Sequence, residues 1–156
     1  MNNNDVLRRI RYIFNFSDSK MMELFALADY PATRAEVSDW LKKDEDSAHK
    51  ALDDKHLAIF LNGLINEKRG KKEGPQPLPE EQLNNNIILR KIKIALNLKD
   101  TDLLSLLALA GRKISKHELS AFFRKPTQPQ YRPCQDQILR NLLQGMEARY
   151  GGQLID

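Results

Sequence analysis

Hydrophobic residues at the start of the chain recur at three- and four-residue spacing. Val6, Leu7, Ile10, Ile13 and Phe14 share one face at 100° per residue, which predicts an amphipathic helix. The pattern returns 82 residues later as Ile88, Leu89, Ile92, Ala95 and Leu96. Three more helices are predicted behind each of these. The second covers about Ser19 to Ala28 and Thr101 to Ala110. Its later copy is apolar nearly all round, so the second helix is expected to be the most buried element of its unit.

The third helix opens on Thr33-Arg-Ala-Glu36 and again on Ser115-Lys-His-Glu118. A hydroxyl followed three residues on by a glutamate is the pattern of a capping box, each side chain satisfying a backbone N–H of the other. Its apolar stripe is Val37, Trp40 and Leu41 in the first copy and Leu119, Phe122 and Phe123 in the second. The fourth helix starts near Asp54 and Asp136 and stops by Gly70 and Gly152, glycine being suited to a left-handed C-terminal cap. Gly63 and Gly145 lie inside it, where glycine costs about 1 kcal/mol relative to alanine. Their presence in both copies predicts that another helix backbone passes close.

These parallels are one internal duplication. Residues 2–70 align with 84–152 without a gap, and 20 of the 69 aligned positions are identical. Between the copies lies KKEGPQPLPEEQL, whose three prolines favour an extended spacer. The expected organisation is a first helical repeat at 1–70, a proline-rich linker at 71–83 and a second repeat at 84–156. A unit of about 70 residues is marginal alone. The expected fold is therefore all-α, with about eight helices in two homologous four-helix repeats packed with pseudo-twofold symmetry. The copies differ most between the third and fourth helices, where DEDSAHKA in the first faces proline-bounded PTQPQYRP in the second.

Each repeat opens on three asparagines. One of each triplet, most simply Asn4 and Asn86, is expected to cap the first helix. Asn2, Asn3, Asn84 and Asn85 are then expected to bind backbone of the opposite repeat or, alternatively, to present amides beside the arginines to a ligand, with Asn15 and Asn97 in an internal polar network.

Charge adds an asymmetry. Residues 1–78 hold 13 basic and 13 acidic residues, whereas 79–156 hold 12 and 8, so the second half carries the whole net charge of +4. That excess points to an acidic partner. On the polar face of the first helices, Arg8, Arg9 and Arg11 are answered by Arg90, Lys91 and Lys93, with Tyr12 and Ile94 among them. Such a stripe suits phosphate contact, although an apolar residue in its middle also fits a face covered by another helix. The second and third helices have the order of a helix-turn-helix, a pair that any compact helical bundle also contains. The outward residues of the later pair include Lys116, Arg124 and Lys125, so nucleic-acid binding, if present, is expected in the second repeat. The run Lys68, Arg69, Lys71 and Lys72 is read as helix-end chemistry.

The alternative reading is a protein-interaction or homo-oligomeric scaffold that uses the apolar second helices. Enzymatic chemistry has little support: His49, His56 and His117 are scattered, and no metal-ligand pair, glycine-rich phosphate loop or nucleophile elbow is present. No metal or cofactor is implied, and Cys134 is read as a reduced structural thiol. The longest apolar run, LLSLLALA, is far short of the ~20 residues that span a bilayer, and a cytoplasmic, membrane-free location is expected.

The phrases NNNDVLRRIRYI, FLNGLINEKRG and NNNIILRKIKIAL, with their shared spacing, resemble the YehS-like bacterial proteins over essentially the whole chain. The resemblance implies two tandem copies of a helical module in a small cytoplasmic protein. It brings no activity and no site residues. The second repeat has LLQGME where the first has FLNGLI.

Overall fold

The computed structural model describes residues 1–151, which form eight helices and no strand. Repeat one contains α1 (Asn3–Phe14), α2 (Asp18–Leu27), α3 (Arg34–Leu41) and α4 (Asp54–Arg69), and repeat two contains α5 (Asn85–Ala95), α6 (Asp100–Leu109), α7 (Lys116–Ala121) and α8 (Asp136–Tyr150). The protein is all-α. Among the described residues no helix is long and apolar enough to cross a membrane.

Both capping boxes form. Thr33 accepts from the Glu36 N–H and Ser115 from the Glu118 N–H, while each glutamate accepts from the backbone N–H of its cap residue. The glycines inside the fourth helices mark close crossings, as expected. A Cβ on Gly63 would lie 1.7 Å from the Leu24 carbonyl oxygen of α2, and one on Gly145 would lie 1.9 Å from that of Leu106 in α6. Gly70 caps α4 with φ of +87°. Gly152 lies outside the described residues.

The second helices are not the most buried elements, which corrects the expectation: α4 and α8 each bury seven residues, and α2 and α6 three each. Leu57, Ala58, Ile59, Phe60, Leu61, Gly63 and Leu64 of α4 are all buried, whereas Leu109 of α6 is 52% exposed. The reason is position. α4 packs on α2 of its own repeat and on α5 of the other, and α8 packs on α6 and on α1. This exchange, fourth helix against first helix in both directions, is pseudo-twofold. It gives the fourth helices two apolar neighbours where α2 and α6 have one outer face left to solvent.

The asparagine triplets divide their work differently from the expectation. The caps are Asn2 and Asn84, whose Oδ1 atoms accept from the N–H groups of Asp5 (2.8 Å) and Ile87 (2.9 Å). Asn4 and Asn86 are buried instead. Asn4 donates to the carbonyls of Trp40 (2.9 Å) and Lys50 (2.8 Å) and accepts from the Leu52 N–H (2.9 Å). Asn86 repeats this with Phe122 (3.1 Å), Arg132 (2.9 Å) and the N–H of Cys134 (2.9 Å). One side chain thus ties the end of the third helix to the strap that leads into the fourth. Cys134 is a free, buried thiol there, and burial pushes its pKa up to about 12.

Asn3 and Asn85 also stay within their own repeats. Asn3 donates to the Leu52 carbonyl (3.1 Å) and to Asp54 (2.7 Å), and Asn85 donates to the Cys134 carbonyl (2.9 Å) and to Asp136 (2.7 Å). The aspartates supply one set of polar links beyond their own repeats. The second oxygen of Asp54 accepts from the Leu83 N–H at 2.9 Å, and that of Asp136 accepts from the Met1 amine at 3.0 Å. Asn15 and Asn97 occupy left-handed positions, each with φ of 53°, just past α1 and α5. Their recurrence follows from asparagine's tolerance of that conformation, not from a cross-repeat bond.

The Asp136 carboxyl is held below its ordinary value of 3.8, first by the Asn85 hydrogen bond and then by the Met1 amine. The folded state therefore binds this proton more weakly than the unfolded chain. Its contribution to stability is fully present above the unfolded value and is lost as pH falls through the lower folded value. Urea titrations of Asp136→Asn should show a flatter acid limb than the parent chain below about pH 4. An unchanged limb would remove Asp136 from the acid response.

Candidate polyanion-binding surface

The cations singled out in the sequence fall into two groups. Those of α1 are engaged: Arg8 pairs with Asp5 and donates to the Lys42 carbonyl (2.8 Å), Arg9 lies 3.9 Å from Glu147, and Arg11 lies 3.4 Å from Asp18. On α5, Lys91 is held by Glu80 (3.0 Å) and Asn62 (2.6 Å), and Lys93 pairs with Asp100 (3.4 Å) over the ring of Phe123. Arg90, Lys116, Arg124 and Lys125 make no ion pair among the described residues. Tyr12 and Ile94 are 67% and 46% exposed, while Arg9 and Lys91 beside them meet α8 and α4.

Comparison of equivalent positions explains the second group. In repeat one, the end of α3, the strap after it and the start of α1 hold Arg8, Lys42, Lys43 and Lys50 among Asp5, Asp39, Asp44, Glu45 and Asp46. Lys42 lies 2.7 Å and Lys50 3.8 Å from Asp39, and Arg8 lies 4.0 Å from Asp44. The Lys42 hydrogen bond holds the Asp39 carboxyl below the usual range, and Asp39 in turn raises the Lys42 ammonium. Repeat two keeps all four cations as Arg90, Arg124, Lys125 and Arg132. The five carboxylates have become Ile87, Ala121, Pro126, Thr127 and Gln128.

The shared backbone brings these four cations to one end of repeat two. The Arg132 N–H donates to the Ala121 carbonyl at 3.2 Å, as that of Lys50 does to Asp39 at the same distance. Asn86 anchors the carbonyls of Phe122 and Arg132 beside α5. Among the described residues the Arg132 guanidinium is bonded only to loop carbonyls, those of Tyr131 (2.9 Å) and Pro129 (3.3 Å). The Arg124 Nε is buried without a partner among the described residues. Lys116 stands apart at the start of α7, a helix of six residues. Arg132 was not among the candidate residues; its signal was the exchange of acidic DED for PTQ at the aligned positions.

Comparison with known proteins places this pair of repeats. The sequence profile described as "Protein of unknown function (DUF1456)" matches twice, at residues 3–70 and 85–152. The chain belongs to the DUF1456 family. It is 40% identical over 150 residues to the uncharacterized protein YehS of Escherichia coli (strain K12), an alignment that covers 96% of each chain. No solved structure matches it significantly. Each DUF1456 repeat comprises four helices, and the two profile matches meet the helices at Asn3 and Asn85.

Proposed function

We propose that this DUF1456 protein is a non-catalytic binding module whose second repeat docks the phosphate backbone of a nucleic acid. The observation that carries the reading is the loss of five carboxylates around four retained cations. A cation with an internal partner has little to gain from a phosphate. One without a partner releases the phosphate's counterions on binding. The surface is supplied by α5, the end of α7 and the strap before α8. It does not use α7 as a groove-reading helix, since six residues make less than two turns. Contacts of this kind set affinity and register without reading bases.

The duplication provides a matched control, because Lys43 and Lys125 occupy equivalent positions. Binding to duplex DNA and to structured RNA should weaken steeply between low and moderate salt. Lys125→Ala should reduce the slope of log K against log salt by about one, and Lys43→Ala should leave it unchanged. Absence of salt-sensitive binding at micromolar protein, or equal losses in the two variants, would overturn the proposal.

A further inference from the structure

A second feature lies away from the repeat-two cations. Between α1 and α8 is a cleft of about 340 Å³, lined by Asp5, Arg8, Arg9, Tyr12, Arg140 and Glu147 together with Met1. Its size is at the lower end of small-molecule sites, about 300–1,000 Å³. The pseudo-twofold counterpart lies between α5 and α4, where Ile87, Ile94, Ala58 and Ile65 stand in place of Asp5, Tyr12, Arg140 and Glu147. That junction keeps Arg90 and Lys91 in place of Arg8 and Arg9, and the linker lines a cavity of about 480 Å³ there: Lys72, Glu73, Pro75, Gln76 and Pro77 line it with Ile65, Arg69 and Ile94, and Gln76 is tied to Asn66 at 3.2 Å. One junction is thus lined in part by the linker, and the other by the charged side chains of α1 and α8.

The chemistry of the open cleft is specific. Arg8 is occupied by Asp5 and the Lys42 carbonyl, and Arg9 is held only at 3.9 Å by Glu147. Arg140 has neither an ion pair nor a side-chain hydrogen bond among the described residues, although it is half-buried. Tyr12 presents an aromatic ring that is 67% exposed. An available guanidinium, a second loosely held one and a bare ring recognise an anion joined to a planar group. Glu147 and Asp5 add acceptors for amino or hydroxyl hydrogens.

We propose that the α1–α8 cleft binds a nucleotide, its phosphate on Arg140 and Arg9 and its base against Tyr12. The same chemistry is offered by a free nucleoside monophosphate and by a nucleotide within a single strand. The inference uses none of the repeat-two cations and stands or falls separately from the docking of a duplex.

The test is calorimetric titration of the full chain with the four ribonucleoside monophosphates and, in parallel, with short single-stranded oligonucleotides. Binding of a monophosphate with a Kd below about 1 mM is expected. Arg140→Ala should weaken it roughly tenfold or more, as loss of a charge-assisted contact does. Tyr12→Ala should weaken it severalfold, Tyr12→Phe should restore it, and Arg124→Ala should have no effect. Both cleft side chains reach solvent, and circular dichroism checks that the variants fold. Single-strand binding that is lost in Arg140→Ala and Tyr12→Ala without monophosphate binding assigns the cleft to a nucleotide held within a strand. Failure of both ligands to bind, or binding unchanged by both substitutions, overturns the assignment.

Discussion

Gly63→Ala is expected to destabilise the protein by more than about 3 kcal/mol, although alanine is the better helix former by about 1 kcal/mol. The added Cβ would sit 1.7 Å from the Leu24 carbonyl oxygen, and helix backbone fixes the positions of both atoms. No rotamer change relieves such an overlap. α4 must move away from α2, which loosens the buried contacts of Leu24, Phe25 and Phe60 on either side of the crossing. Overpacking typically costs about 1–3 kcal/mol, and parting the two helices adds cavity losses to it. For a chain of this length the melting temperature should fall by roughly 6–12 °C or more. Gly145→Ala should behave alike, since its Cβ would meet Leu106 at 1.9 Å. Urea unfolding measures both, and a variant as stable as the parent would remove the close crossing from the account. Gly74→Ala is the comparison: no atom lies within 4 Å of its Cβ, and only the left-handed backbone at φ of +87° opposes the change.

Asn86→Ala should be the second severe substitution. Removal of the amide leaves the carbonyls of Phe122 and Arg132 and the N–H of Cys134 without their partner. Each unsatisfied buried group costs about 1–3 kcal/mol, so a total of roughly 3–5 kcal/mol is expected after partial relaxation. Asn86→Asp separates this effect from shape. The carboxylate keeps its bond from the Cys134 N–H but turns two acceptor oxygens toward one region, so its folded pKa must lie above the ordinary aspartate value. Stability of that variant should therefore improve, relative to the parent chain, as pH falls through the raised value and the acid regains a donor. Equal stability of parent and Asn86→Asp at neutral pH would show that the two carbonyls do not need a donor.

These two sites differ in how legible they were. A glycine inside a helix is costly wherever it stands, so its recurrence at 63 and 145 already points to a close backbone, and the partners are Leu24 and Leu106. The threonine and serine capping boxes were equally plain, because both members sit within one turn. The asparagines were harder. Capping is a local property and marks the helix start, but three consecutive asparagines offer three starts, and the bonds that distinguish Asn4 from Asn2 reach 36 to 48 residues away. The expectation that the second helices are the most buried fails for a related reason. An all-round apolar segment such as LLSLLALA looks central on composition, whereas the enclosed helix is the one that touches both repeats. The basic stripe of α1 could be seen as residues but not as ion pairs, since Asp18 and Asp44 meet its arginines only through the fold. The surface favoured here emerges only when the acidic residues of one repeat are set against their replacements in the other.

The exchange of fourth and first helices across the pseudo-twofold has a consequence for what this chain is free to become. Two identical subunits that met through the same helices would form an isologous dimer, in which every charge on one side is repeated on the other. Joining the two copies in a single polypeptide lifts that constraint. Asp54 and Asp136 still receive a backbone nitrogen from the opposite copy, as symmetry-related subunits would. Away from that contact, one copy carries carboxylates where the other has none, and one junction is lined by the connecting segment while its twin is lined by charged side chains. Covalent tethering holds the assembly in place and lets its two halves hold different chemistry.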